Sequence, residues 1–311
     1  MTWLNLYLRF MAFATLLLLV AGGLVTSQDY GLAVPDWPKS YGMWFPPMIG
    51  GVFYEHGHRM IAGFVGILTV IMAAWLWLKE PRRWVKIFGT VALLSVIVQA
   101  VLGGITVLYF LPTWISTFHA TLGQTFFCMI VSLAIFTSRW WSQNRSAGPS
   151  SENFTGRFAA ATILIYIQLI LGSWMRHSQA ALAIPDFPLA LGRGIPPFTS
   201  SEIAIHFSHR VGALLVLCMI SWNLIRVLRA HRTRADILRP SILLFLLVCV
   251  QITLGAYTVW SRTAVSFATL HMVVGALLLA TSLVLTLRSY KIFRPFHPKP
   301  SRVWDPAVRT A

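Results

Sequence analysis

The sequence predicts an all-α integral membrane protein whose eight transmembrane helices form two pseudo-symmetric four-helix bundles. Composition gives the first indication: 57% of the 311 residues are hydrophobic and only 11% are charged, too little charge to cover a soluble domain. Long apolar runs give the second, and an internal repeat with an offset of about 150 residues gives the third. Together they predict a membrane domain built from two similar units.

The eight helices follow from the apolar runs. Roughly 20 apolar residues cross the hydrocarbon core as a helix, and only helices or closed barrels satisfy their backbone hydrogen bonds in lipid. The runs are continuous, which excludes the alternating pattern of a barrel. The predicted spans are 8–27, 58–78, 86–108, 115–137, 158–176, 205–226, 240–260 and 265–287.

Matching motifs define the repeat. Pro-Asp-aromatic-Pro occurs at 35–38 and again at 185–188, and His-Arg occurs at 58–59 and again at 209–210. The other matched positions are Pro46 with Pro196, Gln99 with Gln251, Gly103 with Gly255, His119 with His271 and Gly123 with Gly275. Self-similarity at this period predicts that each half folds as the same unit.

The repeat also divides the chain. We predict an N-terminal four-helix bundle over 1–141, a linker over 142–157, a C-terminal four-helix bundle over 158–287 and a basic tail over 288–311. Most lysines and arginines lie on the side that holds the linker and the tail, so the positive-inside rule makes both termini cytoplasmic. The net charge of +16 is explained by this topology and by attraction to anionic lipid, and no nucleic-acid partner is predicted.

Two long loops lie on the opposite side, at roughly 28–55 and 177–204. Their prolines and aromatic residues favour a rigid lid over the mouth of each bundle; an interfacial aromatic belt is the alternative interpretation. Asp36 and Asp186, in the equivalent Pro-Asp-aromatic-Pro segments, are interpreted as turn-forming residues and not as catalytic acids.

The three cysteines, Cys128, Cys218 and Cys249, all lie inside predicted helices. The outer loops therefore offer no thiol for a disulfide or a thiol relay. Buried apolar packing is the predicted role of all three.

Four histidines stand at duplicated positions in apolar helices: His58, His119, His209 and His271. One histidine near a membrane surface often only hydrogen-bonds a backbone carbonyl, but four in repeated positions indicate two metal or haem sites, because polar groups in the membrane are costly. Zinc needs three or four converging ligands. Each repeat supplies two histidines, which favours haem with two axial ligands.

Residues around the histidines add to this prediction. Arg59 and Arg210 follow the first histidine of each repeat; pairing with haem propionates and snorkelling to the interface are both open interpretations. Small residues stand four positions after each histidine and predict space for a flat macrocycle: Ala62, Gly123, Ala213 and Gly275.

An acid distinguishes the first repeat from the second. Glu55 lies three residues before His58, whereas the aligned residue in the second half is His206. Residues three apart share a helix face if the helix begins early enough. A buried carboxyl group can exchange protons with a substrate, so acid chemistry is predicted for the first bundle and plain electron transfer for the second.

These residues carry a resemblance to a known family. The chain is similar to heme A synthases over nearly its whole length, in the strings GGLVTSQDYGLAVPDWP, EHGHRMIAG, LGGITVL, FHATLGQTFF, MRHSQAALAIPDFP, HFSHRVGALLV, LGAYTV and HMVVGALL. The resemblance implies an eight-helix membrane enzyme, an oxidoreductase acting on a CH group. It would oxidise a methyl group of heme O to a formyl group, through a hydroxymethyl intermediate, and so supply heme A to terminal oxidases.

The resemblance also implies site residues, carried over by motif. Glu55 is implied to be the catalytic acid, His58 and His119 to bind the substrate haem in the N-terminal bundle, and His209 and His271 to ligate a heme b cofactor in the C-terminal bundle. The implied location is the bacterial plasma membrane, with the haem sites toward the outer side. The implied partners are heme O, a heme O synthase, an electron acceptor and membrane lipid, and a homo-oligomer is left open.

The first outer loop differs from that of many family members in its cysteine content. Many members carry a cysteine pair there, near the positions held here by Val34 and Ser40. A thiol-linked step is therefore not expected in this chain. No ligand role is assigned to His56, His177 or His206.

Two other functions are compatible with the four histidines. A di-haem electron-transfer protein of the cytochrome b type would need no special acid, and a non-catalytic haem carrier or oxidase assembly factor would not depend on Glu55. Formation of heme A from heme O separates the three hypotheses.

Overall fold

The computed structural model describes residues 3–143 and 154–293. This part of the chain is helical, and eight of its helices are long and apolar enough to cross a membrane, which confirms the predicted fold class. The helices are α1 (Trp3–Ser27), α2 (Gly51–Lys79), α3 (Arg83–Leu108), α4 (Thr113–Phe136), the short α5 (Arg139–Ser142), α6 (Phe154–His177), α7 (Ser201–Ala230), α8 (Ala235–Trp260) and α9 (Val265–Phe293). The core of the predicted linker, 144–153, and most of the predicted tail, 294–311, lie outside the described residues.

Several helices begin earlier than the sequence predicts. Helix α2 begins at Gly51 and not at 58, α7 at Ser201 and not at 205, and α8 at Ala235 and not at 240. The prediction used only the apolar length that a bilayer core requires, but a helix continues into the polar zone wherever its first N–H groups find acceptors. At α7 the Ser200 hydroxyl accepts a hydrogen bond from the Ile203 N–H. As a result Glu55 and His206 lie on the same helices as His58 and His209.

The eight long helices pack as two sets of four. Helices α1, α2, α3 and α4 contact one another in a closed ring, and α6, α7, α8 and α9 do the same. Each ring has its own buried apolar cluster: Leu8, Met72 and Ile130 belong to the first, and Ile220 and Leu244 to the second. These contacts agree with two four-helix bundles.

The two bundles meet along a seam formed by α1, α4, α6 and α9. At Gly23 of α1 a side chain would overlap Met272 of α9, so the helices approach closely there. The Arg176 guanidinium donates to the Thr26 carbonyl at 2.6 Å, and Thr269 Oγ1 lies 3.1 Å from Ser27 Oγ. The seam is thus fixed by both packing and hydrogen bonds.

Each bundle carries a long loop at one end, named here the first lid loop (28–50) and the second lid loop (178–200). The first lid loop packs against the neighbouring helices, since Trp37 lies against Gly104 of α3. In the second, the Phe187 ring contacts Trp260 at the end of α8, with ring centroids 6.0 Å apart. Other aromatic residues of the loops, among them Trp44 and Phe45, are exposed. Their exposure favours the alternative interpretation, an aromatic belt at the membrane interface, for these residues.

The cysteines only partly follow the sequence expectation. All three lie within helices, as predicted, but only Cys128 is buried; Cys218 and Cys249 are exposed. The prediction of buried packing is therefore wrong for these two residues. Lipid is as apolar as a protein core, so hydropathy alone does not separate the two environments.

We expect Cys128→Ala to lower the free energy of unfolding by roughly 1 kcal/mol, because the buried thiol leaves a small cavity. The matched variants Cys218→Ala and Cys249→Ala should change it by less than about 0.5 kcal/mol. Thermal unfolding of the purified variants in lipid nanodiscs measures the difference. An equal loss at all three positions would contradict the burial described here.

Candidate functional site

The four predicted histidines lie close to the lid end of their helices. His58 is in α2, His119 in α4, His209 in α7 and His271 in α9, each within the first three turns. Helices α2 and α7 begin directly after the lid loops, and α4 and α9 begin after short turns at the same end. Each bundle therefore gathers one histidine pair beneath its lid loop.

Every one of these imidazole rings lies against a glycine of the neighbouring helix. A Cβ atom at the glycine would approach the ring Cε1 atom to between 2.7 and 3.1 Å. Because such contacts are too short for a side chain, glycine is needed for the ring to lie flat on the helix backbone. The pairs are Gly22 with His58, Gly103 with His119, Gly172 with His209 and Gly255 with His271.

Two of the small residues that follow the histidines in sequence pack against glutamine side chains and not beside open space. Gly123 and Gly275 face the amide groups of Gln99 and Gln251, each 3.1 Å from a Cβ built at the glycine. They therefore accommodate glutamine side chains next to the histidines. The prediction that these two glycines leave open space is wrong, because hydropathy spacing does not tell which neighbour fills a gap.

The second bundle holds its two histidines at a spacing that suits one iron. The ring centroids of His209 and His271 are 6.4 Å apart. Two imidazoles on opposite sides of one metal, with metal–nitrogen bonds of about 2 Å, have centroids roughly 6 Å apart. The residues present thus fit a haem with two axial histidine ligands.

Hydrogen bonds orient these two rings. His271 Nδ1 lies 3.0 Å from the Gln251 carbonyl oxygen, which only accepts, so Nδ1 carries the proton and Nε2 keeps the lone pair that a metal needs. Gln168 Nε2 lies 3.0 Å from His209 Nδ1 and donates to the His209 carbonyl at 2.7 Å.

The first bundle supports its rings in a similar but looser way. The Nδ1 atoms of His58 and His119 are buried next to the backbone of Leu18 and Gln99, respectively, but neither makes a hydrogen bond of standard geometry with the described residues. Gln99, the counterpart of Gln251, donates to the His119 carbonyl at 2.7 Å.

Among the described residues the histidines do not form part of a larger cluster of metal-binding side chains. No group of three or more His, Cys, Asp or Glu side chains that could hold a metal ion occurs within 3–143 and 154–293.

Glu55 lies one helical turn before His58 and is 4% exposed. Its Oε2 atom accepts a hydrogen bond from the Val34 N–H at 2.8 Å, and its Oε1 atom pairs with Arg59 Nη2 at 2.5 Å. Arg59 also donates to the carbonyl oxygens of Asp36 and Lys39, both at 2.8 Å. The acid is therefore held from two sides, by the lid backbone and by a guanidinium group.

The second bundle keeps two of these backbone contacts, at the positions of Val34 and Lys39, without the acid. The Ile184 N–H, which corresponds to Val34, lies 3.3 Å from His206 Nδ1. Arg210 donates to the carbonyls of Ile184 and Leu189, both at 2.8 Å. The described contacts of both arginines thus hold the lid loops, a role that neither sequence interpretation included.

A tight turn shapes each lid loop. Tyr41 and Gly42 both have positive φ, and the Ser40 and Met43 backbones bond each other, the pattern of a type I′ turn. The Asp36 carboxylate accepts from both central N–H groups, at 2.6 and 2.8 Å. These hydrogen bonds hold the pKa of Asp36 below its usual value, and the bond from Gly42 makes the largest contribution.

The same turn recurs in the second lid loop. Asp186 accepts from the N–H groups of Leu191 and Gly192 at 2.7 and 2.8 Å, and the Gly192 bond is the main cause of its lowered pKa. The interpretation of both aspartates as turn-forming residues is confirmed.

Several site residues were not assigned a role from the sequence. Gln99 and Gln251 were recognised only as repeat positions, and Gln168 has no counterpart because Leu18 stands in its place. A glutamine inside an apolar span was the available signal, since such groups are costly in a membrane unless they are bonded. The pair of Ser40 and His56, hydrogen-bonded at 2.7 Å, was also missed.

Comparison with known proteins identifies relatives over most of the chain. The sequence model of a family described as cytochrome oxidase assembly protein matches residues 50–283. A heme A synthase of Halalkalibacterium halodurans is 29% identical, covering 85% of this chain and 90% of that protein. Heme A synthases of Alkalihalophilus pseudofirmus and Lysinibacillus sphaericus are 27% and 26% identical, covering 94% and 88% of this chain and 99% and 92% of those proteins.

We expect Gly172→Ala to displace the His209 ring, because the added Cβ would lie 2.7 Å from its Cε1 atom. Retention of a haem bound between His209 and His271 should weaken by roughly ten-fold, as it does when a metal ligand loses its orientation. Haem absorption per mole of purified protein measures the effect. The control is Gly66→Ala, whose Cβ would meet nothing within 4 Å; equal haem retention in the two variants would contradict the prediction.

Proposed function

The chain belongs to the cytochrome oxidase assembly protein family, and we propose that within this family it acts as a heme A synthase. The proposed reaction oxidises a methyl group of heme O to a hydroxymethyl group and then to the formyl group of heme A. In the first step water supplies the oxygen atom; each step releases two electrons, which an electron acceptor takes up, and two protons. The relatives named heme A synthase, which align over most of this chain, support the proposal.

The observation that carries the proposal is the difference between two otherwise similar sites. Both lid loops offer a backbone N–H to the same position, but the acceptor is Glu55 in the first bundle and His206 in the second. Only the first histidine pair therefore has a carboxyl group one helical turn away. A site for methyl oxidation needs a group that takes up or releases protons, and a site for electron transfer does not.

The histidine pairs receive different roles for a related reason. His58 and His119 are proposed to bind the substrate heme O, because Glu55 lies one helical turn from His58. His209 and His271, oriented by glutamines, are proposed to hold a resident heme b. A bound heme b would supply one-electron transfer.

The protein residues have defined tasks in this mechanism. Arg59 and the Val34 N–H fix the Glu55 carboxylate beside the substrate, so that it accepts a proton or stabilises positive charge that develops there. The first lid loop packs against the end of α3, where Trp37 lies against Gly104, and in this mechanism it would control the access of water to the site.

The proposed setting is the bacterial plasma membrane, with both termini in the cytoplasm and the haem sites toward the outer side. The basic residues of the sequence support this orientation. A heme O synthase is the proposed source of the substrate, and surrounding lipid is the remaining partner.

Haem extraction tests the function directly. Cells that contain a heme O source should accumulate heme A when this chain is expressed and lack it when the chain is absent. Heme O that stays unchanged, with both sites of the purified protein carrying haem in equal amount, would instead favour a di-haem electron-transfer protein. Unchanged heme O with no retained haem would favour a carrier.

We expect Glu55→Gln to retain bound haem but to lower heme A formation by roughly 100-fold or more, because the amide keeps the size but not the proton-accepting group. Heme O or the hydroxymethyl intermediate should accumulate in the extract. The matched control is Glu202→Gln, an exposed carboxylate at the start of α7. Normal heme A formation by the Glu55 variant would remove this residue from the mechanism.

We expect alanine substitutions to separate the two bundles. His209→Ala or His271→Ala should abolish the low-spin haem signal that co-purifies with the protein, because each removes an axial ligand. His58→Ala or His119→Ala should leave that signal and weaken heme O binding. Absorption spectra and heme O titration measure both effects, and the reverse pattern would mean that the bundles have exchanged roles.

A further inference from the structure

We propose that His56 and Ser40 are positioning residues that hold the first lid loop, and through it Glu55, in the arrangement needed for methyl oxidation. This inference rests on the proposed function. The primary observation is a buried hydrogen bond between a helix and the loop: Ser40 Oγ and His56 Nδ1 are 2.7 Å apart. Ser40 is 0% exposed and His56 is 6% exposed.

The pair is connected to Glu55 through one further side chain. Arg59 Nη1 lies 3.4 Å from Ser40 Oγ, a longer contact, and Arg59 Nη2 pairs with Glu55 at 2.5 Å. The Ser40 hydroxyl thus lies between an imidazole and the guanidinium group that holds the acid. A shift of Ser40 would move a partner of Arg59 and, with it, the Glu55 carboxylate.

Helix geometry makes the attachment rigid. Residues 55 and 59 are four apart and share one face of α2, whereas residue 56 is about 100° around the helix from residue 55. The loop is therefore bound to α2 along two directions, by Arg59 on one face and by His56 on the next. Two attachment directions restrict rotation of the loop in a way that one does not.

The second half of the chain provides the internal comparison. The residues that correspond to Ser40 and His56 are Ala190 and Phe207. Ala190 nevertheless takes part in the same turn, and Phe207 packs against Phe198 of the lid loop with ring centroids 5.7 Å apart. The turn and the lid loop therefore fold without a polar pair at these positions.

A buried polar pair contributes little net stability compared with apolar packing of the same volume. Since the second lid loop forms with Ala190 and Phe207, folding alone does not account for Ser40 and His56. The pair occurs in the one bundle that also has the acid. We assign its role to holding that acid in register with the substrate.

The decisive experiment transfers the second-half residues into the first half. In the full-length protein in nanodiscs with heme O, the double variant Ser40→Ala/His56→Phe should lower kcat for heme A formation by roughly three- to ten-fold, with KM changed by less than about two-fold. The low-spin haem signal of the second bundle should be unchanged. The reciprocal variant Ala190→Ser/Phe207→His is the control and should keep normal kcat.

Two single substitutions separate the hydrogen bond from other properties of the ring. Asn places a polar atom where His56 Nδ1 lies, whereas Gln places one near Nε2. His56→Asn should therefore retain most of the wild-type kcat, and His56→Gln should behave like His56→Phe. A wild-type kcat in Ser40→Ala, or equal losses in the Asn and Gln variants, would overturn the proposal.

Hydrogen exchange gives a measurement that does not depend on heme A. Amides of the first lid loop should exchange faster in Ser40→Ala, while those of the second lid loop should not change. If the wild type made no heme A, the proposed function would fail, and this exchange pattern would still decide whether the pair holds the loop. Unchanged exchange in both loops would overturn the inference even if heme A were formed.

Discussion

The interaction on which the first site depends is the set of hydrogen bonds donated by Arg59. This one guanidinium group binds the Glu55 carboxylate and the carbonyls of Asp36 and Lys39 in the first lid loop. A lysine could not do this, because only the planar guanidinium offers several donors in fixed directions. Since Arg59 follows His58 in the sequence, the loop, the acid and the histidine are all aligned by one turn of α2.

The repeat shows how one scaffold supports two kinds of site. A lid-loop N–H at an equivalent position must find an acceptor in both halves, because an unpaired buried donor is costly. A carboxylate satisfies it in the first half and an imidazole in the second, at Glu55 and His206. The backbone requirement is therefore the same in both halves, while the identity of the acceptor changes the chemistry available beside each histidine pair.

Helix α1 contacts one histidine of the first pair and the sequence neighbour of one histidine of the second pair. Gly22 of α1 faces the His58 ring, and the next residue, Gly23, contacts Met272, which adjoins His271 in α9. Small residues allow this close approach on both faces of α1. The hydrogen bond from Arg176 to the Thr26 carbonyl fixes the two bundles at the same end.

The sequence by itself determined the eight helices, the two related halves and the identity of the candidate residues. Apolar length gave the helices because a bilayer core has a fixed thickness, and the repeat identified the four histidines and the acid that breaks the pattern. The turn chemistry of Asp36 was also predictable, since it depends only on neighbours in the chain.

Only the tertiary structure decided which residues meet. Glycines of the neighbouring helices, Gly22, Gly103, Gly172 and Gly255, contact the four histidine rings, whereas Gly123 and Gly275, which follow His119 and His271 in sequence, face glutamine side chains. In the tertiary structure Cys218 is exposed, and Ser40 of the first lid loop is hydrogen-bonded to His56 of α2. The physical reason is that lipid and protein interior are almost equally apolar, so hydropathy does not record which face of a helix packs inward. That choice depends on the rotation and tilt of each helix against its neighbours, which contacts between distant parts of the chain determine.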